Sequence, residues 1–187
     1  MSKQLRAATV VALSLVLAHD AGAYGSGQFN TNLTRCNTCH TGGDSPTVKF
    51  SPSERVAKVG ARFQINAGVA ATLVLDAKTL PGRGLGFAIL ADDGLTLEST
   101  REDTRVDRQI LGHARALFVP DGKYLIPFRL NAPAASCGRT LTLRATVLAA
   151  NRNGAPTGDG MAASSIQIFV NCPPTVKIPP AREPLKN

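Results

Sequence analysis

Hydrophobic and polar positions divide the chain into four textures. Residues 7–18 (AATVVALSLVLA) form a mostly apolar run behind a positive start at Lys3 and Arg6. Residues 24–44 are rich in Gly, Asn and Thr and carry few core-type side chains, and they read as irregular chain. From Ser45-Pro46 onward, short apolar or alternating runs are separated by turn residues. Beyond Cys172 the chain carries Pro173, Pro174, Pro179, Pro180 and Pro184, a composition that extends no core.

The third texture predicts strands. RFQIN (62–66), TLTLRATVLA (140–149) and SSIQIFV (164–170) alternate over most of their length. VAATLVLDA (69–77) and GLGFAILA (84–91) are apolar and partly β-branched or aromatic. KYLIPFRL (123–130) follows the turn Pro120-Asp121-Gly122, and Pro127 inside it points to a sheet edge or a bulge. Many short strands with frequent turns and little helix predict an all-β fold, an immunoglobulin-like β-sandwich. Trp is absent, so the buried Trp of antibody-type domains is missing. No internal repeat is visible.

The N-terminal run is short for a membrane span, and Ala21-Gly22-Ala23 after it fits the small-x-small cleavage rule. Residues 1–23 are therefore expected to be a secretory signal peptide, cleaved before Tyr24, with no stable membrane insertion afterwards. No Arg-Arg pair precedes the run, so the general export route is expected. The expected organisation is a signal peptide at 1–23, a cofactor segment at 24–45, a sandwich at 46–172 and a Pro-rich tail at 173–187. The localisation expected is periplasmic or extracellular.

Charge changes this picture little. The 187 residues carry a formal charge of +8, and the signal segment removes Lys3, Arg6 and Asp20, leaving +7. The basic residues form no dense run, so no nucleic-acid partner is expected. The net charge suits an acidic partner or an anionic surface.

The chemistry sits in the second texture. Cys36-Asn37-Thr38-Cys39-His40 is C-x-x-C-H, the spacing of c-type haem attachment. Cys36 and Cys39 reach two carbons on one edge of a haem, and His40 offers its imidazole to the iron. The chain's own use of 4 Cys and 3 His yields roughly one chance occurrence per thousand such sequences. Rival uses of the pair are a small disulfide loop, a zinc site and a thioredoxin-like pair. No βαβ setting favours the last. Cys137 and Cys172 lack finger-like spacing for zinc. One covalent haem c is the expected cofactor.

For the opposite face of the iron, His113 and Met161 are the mature chain's other His and its one Met, since His19 leaves with the signal peptide. His113 is the leading axial candidate and Met161 the alternative. An open site would leave room for a small ligand. His113 falls between expected strands, where a solvated loop histidine is the bland reading.

Cys137 and Cys172 are expected to form a disulfide. The runs after Cys137 and before Cys172 pair as antiparallel strands, across a loop from Asn151-Arg152-Asn153-Gly154 to Asp159-Gly160, in a register that sets Ala145 against Ser164. No catalytic set emerges, so no enzyme is expected. Asp92-Asp93 with Glu98, and Glu102-Asp103, read as solvated loop carboxylates or a weak cation site.

The chain resembles bacterial secreted proteins with a Reelin-like, immunoglobulin-type domain behind a C-x-x-C-H segment, which differ in their C-terminal anchors. The residues that carry the resemblance are Tyr24-Gly25 to Phe29, Cys36 to Gly43 and Ser45-Pro46, then Asn151 to Gly154 and Thr157-Gly158-Asp159. The family pattern has a histidine after the middle strands, which His113 matches. Cys137 and Cys172 depart from it, and a Pro-rich tail stands where the anchor would be. The resemblance implies the fold and the haem more than a role. Electron transfer with an unidentified redox partner protein is the leading expectation. A haem-based sensor or small-ligand binder is the second, and an extracellular adhesion or matrix module the third.

Overall fold

The computed structural model describes residues 40–155 and 157–173. They form thirteen strands and one 3₁₀ turn, Ala134–Ser136. The strands are β1 (Thr41–Gly42), β2 (Thr47–Pro52), β3 (Ala57–Val59), β4 (Arg62–Asn66), β5 (Ala71–Lys78), β6 (Arg83–Ala91) and β7 (Thr96–Ser99). The rest are β8 (Thr104–Asp107), β9 (Ile110–His113), β10 (Leu117–Val119), β11 (Lys123–Asn131), β12 (Thr140–Ala150) and β13 (Thr157–Asn171).

Two sheets pack as an all-β, immunoglobulin-like sandwich. The larger runs β3-β4-β13-β12-β6-β9-β8, with β1 beside β13 and β10 beside β6; the smaller runs β2-β5-β11-β7. Alternation explains the packing. Ala71, Leu73, Leu75 and Ala77 on β5 face Leu85, Phe87 and Ile89 of β6 and Leu143, Ala145 and Val147 of β12 across one core. Ile126, Phe128 and Leu130 of β11 complete it, and Phe128 meets Phe50 edge-on at 6.3 Å.

Cys137 and Cys172 are joined by a disulfide, with Cα atoms 4.8 Å apart. Between them β12 and β13 pair from Thr140↔Phe169 to Ala149↔Gly160, and Ala145 does oppose Ser164. The expected loop is shorter than the turn residues implied. Thr157, Gly158, Asp159 and Gly160 already belong to β13, because Gly160 pairs with Ala149 and β1 lies parallel to the strand's start.

Pro127 sits inside β11, opposite Val74 of β5. Its carbonyl accepts from Thr100 Oγ1 at 2.7 Å, on the side where β7 ends at Ser99↔Phe128. The position lacking an N–H therefore faces a stretch with no ladder, so the edge is local to that residue.

β9 and β10 lie on the same side of β6 but out of step. Ala88 opposes Gly112 and Leu85 opposes Leu117, so three steps on β6 face five on the other chain. Two extra residues make a bulge at His113–Leu117, of the kind that re-aims a side chain. The strand rather than a loop carries His113, which corrects the sequence reading.

The disulfide spans 35 residues of sequence. Replacing both cysteines by alanine is expected to cost about 3–4 kcal/mol on the chain-entropy estimate. Denaturant midpoints of the oxidised protein and the double variant measure it, and coincident midpoints would show that the bridge adds nothing.

Candidate functional site

The outward face of β6 is built from small residues, Gly84, Gly86 and Ala88, which alternate with core residues Leu85, Phe87 and Ile89. Gly86 opposes Leu148, which opposes Met161. A Cβ on Gly86 would lie 3.1 Å from Cε1 of His113. Met161, Leu148, Gly86 and the His113 ring therefore form a row across the outside of the larger sheet.

The bulge explains the His113 position. By alternation with Leu111 the side chain would enter the core, and instead it is carried to Gly86. Its Nδ1 stands 3.1 Å from the Phe87 backbone nitrogen and 3.2 Å from the Phe87 carbonyl oxygen. The imidazole thus serves backbone groups that the broken ladder leaves without a strand partner. The Phe87 N–H donates to Nδ1 when that nitrogen carries the lone pair, and Nδ1 donates to the carbonyl when it carries the proton.

His40 reaches the same face from the chain's other end. Thr41 and Gly42 pair with Thr157 and Asp159, and the Gly43 N–H donates to the Asp159 carbonyl at 3.1 Å. Gly43 and Gly160 allow this approach, since a Cβ on Gly43 would collide with Gly158 and one on Gly160 with the Asp44 carbonyl. His40 Nδ1 lies 2.7 Å from Asp159 Oδ2. Asp159 is 3% exposed, and its Oδ1 accepts from the Asn151 N–H at 2.8 Å. The carboxylate is acceptor-only, so Nδ1 of His40 donates to it.

Asp159 stands two residues before Met161 on β13, hence on the same face. β13 and β9 are three strand spacings apart, about 14–15 Å. The structure brings His40, His113 and Met161 to one side of one sheet. Cys36 and Cys39 lie outside the described residues. Among the described residues no group of three or more His, Cys, Asp or Glu side chains could hold a metal ion. No helix among them is long and apolar enough to cross a membrane.

Of the carboxylates read as solvated, Asp93, Glu98 and Glu102 are exposed, while Asp92 and Asp103 are structural. Asp92 accepts from Arg144 Nη1 at 2.8 Å and the Thr142 N–H at 3.0 Å. Burial pushes its carboxyl up, and these bonds outweigh that and hold it below the usual carboxylate range. Glu98 accepts from Asn131. Asp103 is buried, and Arg101 grips it through Nε and Nη2, both at 2.7 Å, while the Tyr124 hydroxyl donates to the same carboxylate. The Arg101 bonds hold Asp103 down at about 2. Burial first, and the Asp103 bond second, push the Tyr124 hydroxyl up to about 12. Tyr124 belongs to β11 and Asp103 precedes β8, so the triad clasps the two sheets where the chain crosses between them.

Sequence reasoning missed Asp159 as a partner of His40, and the clasp. Asp159 stood in a turn-like string, and nothing local signals a bond to a residue 119 positions away.

No family model and no curated protein matches the sequence. Solved structures with a similar sandwich include a DUF4466 family protein from Parabacteroides merdae, at TM-score 0.43 and 10% identity. That match covers 68% of this chain and 46% of the other, so this chain spans under half of that protein's length. The Salmonella SafD adhesin matches at TM-score 0.39 and 11% identity, over 68% of this chain and 99% of that one. BslA, a bacterial hydrophobin, matches at TM-score 0.40 and 13% identity, over 70% and 98%. At these values the likenesses carry no argument about role, and the fold assignment rests on the sheets described above.

The clasp gives a pH test. The Asp103 carboxyl is depressed in the folded state relative to about 3.9 unfolded. Its stabilisation is present above about pH 4 and is lost as pH falls through about 2. It is expected to be on the order of 2 kcal/mol at neutral pH. Asp103→Asn should lose that amount and flatten the acid limb, read as denaturant midpoint against pH. A variant curve parallel to the wild type would remove Asp103 as its source.

Proposed function

We propose that the protein is an exported monohaem c-type cytochrome-like protein that transfers electrons in the periplasm or outside the cell. Cys36 and Cys39 would hold the haem, His40 would ligate the iron, and His113 would be the second axial ligand, with Met161 as the alternative. The observation that carries the reading is that both histidines are anchored through Nδ1 on one face of the sheet. His40 donates from Nδ1 to Asp159, and Nδ1 of His113 lies against the Phe87 backbone, 3.1 Å from its nitrogen and 3.2 Å from its carbonyl oxygen. Histidines that ligate metal through Nε2 almost always donate their other ring N–H as His40 does.

The face between them suits a planar group. On β6 its floor is Gly86 and Ala88, with Leu148 of β12 beside them, and bulk on Gly86 would press against His113. When bound, the haem supplies an iron that cycles between two oxidation states, at low potential with two imidazole ligands. The chain fixes both rings and sets the polarity around them. The disulfide fits an oxidising compartment. The redox partner is a protein not identified by any feature of this chain.

A second reading is an extracellular adhesion or matrix module. It is favoured by the sandwich's core, a continuous cluster of side chains from Phe50 to Val170 that needs no prosthetic group to close it. Phe118 and Leu125 remain about half exposed, available to a partner surface.

Visible spectra and a haem-stained denaturing gel of the mature protein, made with a c-type maturation system, separate the readings. Retained haem, a sharp reduced α-band and a six-coordinate low-spin oxidised spectrum are expected. His113→Ala should keep the haem and turn high-spin. A high-spin wild type would favour the small-ligand binder instead. A folded, haem-free wild type would sink the cytochrome reading and leave the adhesion module.

A further inference from the structure

We propose that Asp159 is the positioning residue of His40, and that its charge poises the iron centre toward the oxidised state. The inference rests on the haem reading and goes one step past it.

The bond joins a ring and a carboxylate 119 residues apart, and several features of the fold serve to make it. A two-residue parallel strand lays residues 41 and 42 against the start of β13. Gly43 and Gly160 remove the side chains that would hold the two backbones apart. The Asn151 N–H occupies Oδ1, so the carboxylate cannot swing away and Oδ2 is left for the ring. Asn151 is itself tied to Thr157 through Nδ2 at 2.9 Å.

Asp159 has one ion-pair partner among the described residues, and that is His40. The nearby Arg83 gives its guanidinium to the Gly158 carbonyl at 3.3 Å and faces Asp44 at 3.9 Å instead. At 3% exposure the carboxylate charge is poorly screened by water. An N–H donated to a carboxylate makes the ring's other nitrogen a stronger donor. A stronger donor favours the more highly charged iron, so the oxidised form gains more than the reduced form. A neutral acceptor would hold the ring equally well and would not supply that bias. The carboxylate therefore does more than latch the segment.

The test uses the haem-loaded mature chain, titrated for its midpoint potential. Asp159→Asn keeps the shape and removes the charge, its one oxygen turned to the ring and the Asn151 N–H losing its acceptor. It is expected to shift the oxidised-to-reduced preference about tenfold toward the reduced form, about 59 mV upward for one electron, with the low-spin spectrum kept. Asp121→Asn removes an equal charge from the exposed turn before β11, and it should leave the potential unchanged. In the wild type the Nδ1 proton of His40 should exchange slowly with solvent by NMR, a readout that needs no variant. An unshifted Asp159→Asn potential, an equal shift in Asp121→Asn, or a rapidly exchanging Nδ1 proton would overturn the proposal while the haem reading stands. A wild type that takes up no haem would overturn both.

Discussion

The register of β13 against β12 is the constraint on which the rest depends. Ten consecutive pairs run from Thr140↔Phe169 to Ala149↔Gly160, and a disulfide pins the open end. Side chains alternate with a period of two, so a slip of one residue would exchange the faces of the whole strand. Ile168 and Val170 would leave the core, and Asp159 would turn away from His40. Because β13 also pairs with β4 and β1, the same register places the edge of the sheet and the entry of the N-terminal segment.

From that register the site is assembled by two departures from regularity. One is the close approach of Gly43 and Gly160, which brings His40 down onto the start of β13. The other is the two-residue bulge between β9 and β10, which turns His113 out of the core and sets its ring against Phe87. Both imidazoles end up oriented through Nδ1. The orienting groups differ: a buried carboxylate on one side, the backbone of Phe87 on the other. The two rings are therefore held unequally, and the asymmetry comes from the fold around identical side chains.

Much of the sandwich was legible because alternation is a local signal. The run at 62–66 is a strand over those residues, and those at 84–91, 123–130 and 140–149 extend by only a residue or so. β13 begins seven residues earlier than its alternating run, because Thr157–Gly160 are held by partners on β1 and β12 and not by a pattern of their own. The short strands β2, β3, β7, β8, β9 and β10 carry three to six residues each, too few for a period to stand out. The Cys137–Cys172 pair followed from register. The Asp159–His40 bond did not, since it joins ends of the chain that only the folded sheet brings together. The Asp103 clasp was read as solvent-facing for the same reason, as its partner Tyr124 lies 21 residues on, in the other sheet.

The disulfide also bears on how the chain matures. Four cysteines entering an oxidising compartment can pair in three ways, and one of these joins Cys36 to Cys39. That pair needs almost no chain ordering to meet, whereas Cys137 and Cys172 depend on a hairpin of 35 residues being in register. The local pair therefore has the kinetic advantage, and the structural bridge has the thermodynamic one. On the haem proposal, thioether formation at Cys36 and Cys39 would call for reduced sulfur, while the Cys137–Cys172 bridge calls for oxidised sulfur. Once the hairpin has zipped up, its register holds Cys137 against Cys172, so a bridge opened by a reductant at the exposed Cys172 keeps its partner in place to close again.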